Sequence, residues 1–468
     1  MSTGAGAADG PYDQAYRRLL EAMRQGAIAP GTPHSEVELA QRAGLPLEQV
    51  RGAVLRLEYQ GLVRRVAADS VAVVAVSPER WAEGGHALVA FIETAIRSTV
   101  PHLDDAEVDE YRVLVTTALE SGRLRSDRFS ADLLSTLQFW ADHGRIGLLA
   151  RFTSRALEQH RFGLDPLPTW DEWDGGGWLG SSLLAAETRD QDTAHQAGHL
   201  LQAVWARHLT TVAEGLAIPA DRLLAPPADT SAAAAFVSSE LDDETWWTVL
   251  GAVRNGTFAH GVVHDADDVS ALTGRPERRA RLAIRQLDVM GLVRQVPGGR
   301  ASFTLATPTV DDWADTVELL VGLSESGLRL MLPVLDEGDV AAGRALAALV
   351  RRFGRSRDPR VTVALTDLSR FVVDRNPNAF LRDASLFALS RTFLLLEPAP
   401  AFRRWDLDVF LRRFEDALEH RDPDAASEAG HALARLADAH IADVRAERAV
   451  AEDAAAERAA AERARMDG

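Results

Sequence analysis

The stretch GAIAPGTPHSEVELAQRAGLPLEQVRGAVLRLEYQGLVRR (26–65) decides the fold, because GTFAHGVVHDADDVSALTGRPERRARLAIRQLDVMGLVRQ (256–295) repeats it without a gap. At an offset of 230, residues 20–65 and 250–295 share 16 of 46 positions, where composition alone gives roughly four. The identities include Gly26/Gly256, Gly31/Gly261, His34/His264, Gly44/Gly274, Pro46/Pro276, Arg51/Arg281 and Gly61/Gly291. The repeat reads as an internal duplication.

Each copy opens with a helical pattern, Tyr16-Leu19-Leu20-Met23 or Trp246-Val249-Leu250-Val253, closed by Gly26 or Gly256. A short second helix follows at about 35–43 and 265–273, with Ser35 and Asp265 as N-caps and Glu38 and Asp268 three residues on. After Gly44 or Gly274 a third helix places Val50, Ala53, Val54 and Leu57, or Ala280, Ala283, Ile284 and Leu287, on one apolar stripe. The segments 61–76 and 291–306 then alternate like a β-hairpin. Three helices followed by a hairpin predict a winged helix-turn-helix.

Beyond each wing lies a long helical stretch, and the two end alike, in TRDQDTAHQAGHLL (188–201) and HRDPDAASEAGHAL (420–433). The chain is therefore expected to be mainly α, with two winged helix-turn-helix domains (11–78 and 241–308), each followed by an all-helical bundle (79–217 and 309–441). A disordered start (1–10), a Pro/Ala-rich linker (218–240) and an Ala/Glu/Arg-rich helical tail (442–468) complete the division. Glutamates recur every five residues in the tail, which leaves no single apolar face and predicts a solvated helix.

The 468 residues are ample for several cores, and 46% hydrophobic with 26% charged residues reads as a globular chain. There is no cysteine, which excludes disulfides, thiol catalysis and cysteine-ligated zinc. No segment approaches about 18 uninterrupted apolar residues, and the N-terminus has no signal-peptide pattern, so a cytoplasmic protein is expected. No Walker loop, Gly-x-Ser-x-Gly or His-Glu-x-x-His occurs, and nothing points to an enzyme.

The net charge of −18 is unevenly spread. Residues 11–78 carry eight Arg and seven acids, and 241–308 carry eight and eight, so the repeated segments sum to +1 and the remainder to −19. This distribution suits binding of a polyanion through the repeated modules alone. Within them, residues 275–300 hold seven Arg against two acids, whereas 45–70 hold four against three.

The quoted segment 26–65 resembles the GntR family of bacterial transcription regulators, in the FadR-like branch with an all-helical effector domain. It carries the family's glycine before the second helix, its Ser-Glu, Leu-Ala, Val-Arg and Leu-Glu-x-x-Gly-Leu-Val. The resemblance implies binding of double-stranded DNA as a dimer, under control of a small metabolite such as an organic acid or acyl compound held in the helical domain. The candidate DNA-contacting residues are Arg51, Arg64 and Arg65 in the first copy and Arg278, Arg279, Arg281, Arg285, Arg294 and Arg300 in the second. Departures from the family occur where Glu48 stands at a position facing phosphate and where Val37 and Asp267 replace its usual Arg.

Many relatives hold a divalent metal through an Asp, a His four residues later and two further His. Here Asp132 remains, but the other positions fall on Thr136, Leu179 and Leu201, and in the second copy on Leu411 and Leu433, so neither a metal nor another cofactor is expected. His199 and His431 recur at equivalent places and read as half-buried helix residues. His260, His264, Asp265, Asp267 and Asp268 read as a helix-entry turn, and Trp170, Trp173 and Trp178 as a packed loop.

These features predict a tandem GntR-like regulator acting as a pseudo-dimer within one chain. The alternative is a regulator-derived protein-interaction or metabolite-sensing protein that has lost DNA binding.

Overall fold

A computed structural model of the chain describes residues 11–466 except 60, 68, 75–76, 164–174, 225–242, 260, 290–291, 297–301, 307–308, 395–401 and 403. Most of the sequence-expected linker, Trp170, Trp173, His260 and Arg300 lie outside the described residues.

The first half begins with α1 (Pro11–Arg24), β1 (Pro33–Ser35), α2 (Glu36–Ala43), α3 (Leu47–Tyr59), β2 (Val63–Ala67) and β3 (Ser70–Val73). A bundle follows: α4 (Pro78–Thr99), α5 (Asp105–Arg123), α6 (Phe129–His143), α7 (Gly147–Gly163), α8 (Gly176–Thr188), α9 (Gln191–Gly215) and the short α10 (Asp221–Leu224). The second half starts with α11 (Asp243–Arg254), β4 (Val263–His264), α12 (Ala266–Thr273), α13 (Glu277–Val289), β5 (Val293–Gln295) and β6 (Phe303–Leu305). It ends with α14 (Val310–Met331), α15 (Glu337–Arg355), α16 (Val361–Asp374), α17 (Ala379–Leu394), α18 (Asp408–His420) and α19 (Pro423–Met466). Apart from α10, the two halves run through the same order of helices and strands.

Local chemistry accounts for the turns. Gly44 and Gly274 end α2 and α12 with φ of 62° and 65°, a left-handed cap that a side chain would strain, so glycine stands at both although the residues around them differ. The Ser35 side chain accepts from the Glu38 amide, while Asp265 and Asp268 form a reciprocal capping box. The predicted stripe is buried in both copies, from Val50 to Leu57 on α3 and from Ala280 to Leu287 on α13.

Each wing is a three-stranded antiparallel sheet, not the two-stranded hairpin that the alternation suggested. The third strand is the segment entering the second helix: His34 pairs with Val71, and His264 with Phe303. Two and three residues are too few for an alternation pattern to register in sequence.

The halves also share backbone conformations that side chains rarely adopt. Arg125 and Arg357, and Arg189 and Arg421, have φ of 48°, 51°, 55° and 52°, and each pair is separated by 232 residues. The first pair sits in matching segments, GRLRSDR (122–128) and GRSRDPR (354–360).

The core is not divided evenly. The first winged unit has its own apolar cluster, from Ala15 to Val73. A much larger cluster joins the first bundle, the second winged unit, α17 and the first part of α14, while most of the remaining second bundle, around Phe371, Phe410 and Phe414, forms another. The bundles meet along α4 and α14, with α17 against α4, and the Phe152 and Phe387 rings lie 5.9 Å apart. At the same junction the fully buried Glu83 accepts from the Ala379 amide at 2.9 Å, and its backbone oxygen accepts from Asn378. The helix α19 continues unbroken from the bundle into the Ala/Glu/Arg-rich tail. Among the described residues no helix is long and apolar enough to cross a membrane.

Candidate functional site

The two third helices present different surfaces. On α13, Arg278 and Arg281 are exposed on the side away from Ala280, Ala283, Ile284 and Leu287, and Arg279 is half-buried. Arg281 pairs with Glu277 at 2.7 Å, one turn earlier on the same helix. Arg285 lies on α13, though its side chain is outside the described set, and Arg294 is exposed on β5.

In the first copy the candidate arginines are tied down by acids. Arg51 donates to Glu36 at 3.3 Å and to Glu48 at 2.5 Å. Arg65, only 10% exposed, donates to the same Glu36 at 3.0 Å and to Glu58 at 3.1 Å. Glu36, Glu48 and Glu58 thus pair with two of the three candidate arginines, Arg65 buried and Arg51 exposed, leaving the exposed Arg64 on β2 outside that network. Arg64 and Arg294 are equivalent positions, and Glu48 stands where the second copy has Arg278. Both heads carry ion-paired arginines, and they differ in number: residues 275–300 hold seven Arg against two acids, 45–70 four against three.

The histidine and aspartate run before α12 is structural. Asp265 caps the helix, and His264 Nε2 contacts the backbone of Ala259 while its Nδ1 stands 3.6 Å from Asp268. Trp178 is fully buried. The positions at which the resemblance implied a metal are closed as well: Thr136, Leu179, Leu201 and Leu411 are packed in the bundle cores, and Asp132 lies 3.7 Å from Arg128. In the first half two aliphatic side chains and a buried hydroxyl leave Asp132 as the one remaining ligand, so the residues present do not fit that ion.

A polar cluster of a different kind lies where the bundles meet. It is built on equivalent pairs at an offset of 232: Glu93 and Glu325 on α4 and α14, Arg97 and Arg329 one turn on, and Gly198 and Gly430 followed by His199 and His431 on α9 and α19. The glycines admit the carboxylates. A Cβ at Gly198 falls 2.5 Å from Glu93 Cγ, and one at Gly430 falls 2.4 Å from Glu325 Cγ.

The pairs are used unequally. Arg329 donates to Glu93 Oε2 at 2.5 Å, Glu325 Oε1 at 3.0 Å and Ser427 Oγ at 2.6 Å, whereas Arg97 donates to the Glu318 backbone oxygen. Glu93 Oε2 also accepts from Gln202 and Ser326, which leaves the buried Oε1 without a hydrogen-bond partner among the described residues. On the other side, His195 Nδ1 and His199 Nε2 each stand 3.6 Å from Glu325 Oε1. The His195 ring lies 4.2 Å from that of His431, stacked at 28°, and His431 Nε2 is 3.2 Å from Asp192. Burial, with the His199 and His431 rings beside it, pushes His195 down to about 3. Burial alone raises the Glu325 carboxyl, but His199, Arg329 and Arg97 outweigh it and hold the group below the usual range.

Sequence reasoning singled out His199 and His431 but missed Glu93, His195, Glu325 and Arg329. The signal was present as Glu-x-x-x-Arg followed four residues later by Pro, in FIETAIRSTVPHL (91–103) and LSESGLRLMLPVL (323–335).

No family model matches the chain. Over 112 residues it is 29% identical to an uncharacterized HTH-type transcriptional regulator in the TAR-I ttuE-ttuC' intergenic region of Agrobacterium vitis, covering 24% of this chain and 65% of that protein. The chain therefore spans just under two thirds of the length of that relative. Among solved structures it is similar to Lar, described as controlling expression of the Listeria monocytogenes agr system, at 16% identity and a TM-score of 0.34. That match covers 45% of this chain and all of the other. A GntR family transcriptional regulator from Pseudomonas syringae matches at 20% identity and a TM-score of 0.24, over 45% of this chain and 90% of its own. Each of these likenesses spans less than half of the chain.

Proposed function

We propose that this chain is a DNA-binding transcription regulator of GntR type, formed by tandem duplication of one unit and acting as a pseudo-dimer within a single chain. The winged units, 11–78 and 241–308, read double-stranded DNA, and the bundles, 79–217 and 309–441, pair as the two subunits of an ordinary two-fold regulator do. The observation that carries the reading is α13: a winged-helix third helix with its apolar stripe buried and Arg278 and Arg281 exposed on the opposite side. Residues 275–300 hold seven Arg against two acids and 45–70 only four against three, so the DNA contact is lopsided and the preferred site is asymmetric. Supporting names come from the Agrobacterium relative, called an HTH-type transcriptional regulator.

Control by a small organic acid or acyl compound in the bundles is part of this proposal. In the second bundle, a cavity of about 30 Å³ lined by Leu328, Leu368, Val372, Phe410 and Phe414 is the size of one water. An organic effector therefore binds there only by opening the packing of the second bundle, shifting its conformational equilibrium.

Binding to mixed-sequence duplex DNA measured against salt tests the proposal. The expected outcome is a linear fall of log affinity with log salt, with a slope smaller by about 1 for each of Arg278 and Arg281 replaced by Ala. No salt-dependent retention overturns it and favours the second reading, an interaction or metabolite-sensing protein that has lost DNA binding. That second reading is supported by the first head, whose residues 45–70 hold four Arg against three acids.

A further inference from the structure

We infer that the junction of the two bundles is a binding site for one divalent transition-metal ion, held by Glu93, His195, His199 and Glu325. One donor atom from each of these four residues lies within 4.8 Å of the others. Two imidazole nitrogens and two carboxylate oxygens are the donor set of zinc and neighbouring first-row ions, and bond lengths near 2.0–2.2 Å require the four atoms to close inward by about 1 Å.

Two further observations point to a cation. Among the described residues the buried Glu93 Oε1 has no donor, while its other oxygen takes three, from Gln202, Ser326 and Arg329. An unsatisfied buried carboxylate oxygen costs about 1–3 kcal/mol, and a bound cation offsets this. Second, His199 Nε2 is buried and also lacks a hydrogen-bond partner, standing just beyond bonding reach of Glu325 Oε1. The His199 side chain is 31% exposed and gives the ion a route in.

Arg329 takes the place of an outer-sphere partner, holding one oxygen of each carboxylate and fixing the angle at which both face the imidazoles. The site is single because the symmetry is broken at one position: His195 has Ser427 as its equivalent, and Ser427 accepts from Arg329 and not from an ion. It shares no residue with the positions at which the resemblance implied a metal, Asp132, Thr136, Leu179 and Leu201. An ion here ties α4 and α9 of the first bundle to α14 of the second, and so sets how the bundles sit on each other. The inference does not depend on DNA binding.

The test uses the full chain without an affinity tag, stripped with chelator and titrated with zinc against a fluorescent chelator, and with cobalt(II) followed by visible absorption. The expected result is one ion per chain, a rise in melting temperature on loading, and affinity at least about tenfold weaker in His195→Ser and His199→Gln. His195→Ser copies the side chain already tolerated at the equivalent position, so its metal-free melting temperature should match that of the parent. Absence of stoichiometric binding at micromolar zinc overturns the inference. So does binding that both variants leave unchanged, or that persists with two ions per chain.

Discussion

Arg329 Nη2 donates to Glu93 Oε2 at 2.5 Å across 236 residues of sequence, and this bond pins the second bundle to the first. Both side chains are more than nine-tenths buried. Desolvating two charges is costly, so their value lies in geometry and in the penalty for removing one of them.

That penalty is measurable. Arg329→Met leaves Glu93 and Glu325 buried without their shared cation and should destabilise metal-free protein by about 3–5 kcal/mol. Adding Glu93→Gln to it should cost less than the sum of the two single changes, because the pair acts as one unit. Urea unfolding of the four proteins checks this, and strict additivity would refute the coupling.

Gly198→Ala and Gly430→Ala should each destabilise by about 1–3 kcal/mol, although alanine is the better helix former, because the new methyl meets Glu93 or Glu325 below 2.6 Å. Gly180 and Gly251 also lie in helices, with nothing within 4 Å of a built Cβ, and Gly180→Ala and Gly251→Ala should instead stabilise by about 0.5–1 kcal/mol. Opposite signs in thermal unfolding are the expected result, and a uniform sign counts against the packing account.

The neighbouring arginines of β2 should separate cleanly. Arg65 is bonded to Glu36 and Glu58 at one tenth exposure, so Arg65→Ala should cost about 1–3 kcal/mol of stability in the first winged unit. Arg64 is exposed, and Arg64→Ala should stay within about 0.5 kcal/mol while weakening any DNA binding. Equal stability losses in the two variants would contradict this assignment.

Burial, reinforced by Asp438, raises the Glu318 carboxyl to about 7. The unfolded value is near 4.3, so between these values the folded chain binds more protons than the unfolded one, and this group's contribution falls as pH rises. Glu318→Gln cannot ionise and removes the penalty. It should be more stable than the parent by on the order of 1–3 kcal/mol at pH 8, with a smaller advantage at pH 5. Denaturant midpoints at the two pH values decide it, and an advantage that does not grow with pH would contradict the burial argument.

The sequence by itself determined the repeated winged-helix pattern. The left-handed turns at Gly44 and Gly274, the caps at Ser35 and Asp265, and the stripes from Val50 to Leu57 and Ala280 to Leu287 depend on residues a few positions apart. Such short-range constraints leave a periodic trace in any chain that obeys them. The third strand of each wing left none, being too short. The pairing of Arg51 and Arg65 with Glu36 was also invisible, since charge counting treats 15 or 29 residues of separation like any other. Only the tertiary structure brought Glu93, His195, His199 and Glu325 together, because their proximity follows from packing α4 on α14 and α9 on α4. The offset of 232 held the pairs in view as a repeat, but a repeat states which residues are equivalent. Which of them meet is decided by the close approach that Gly198 and Gly430 permit.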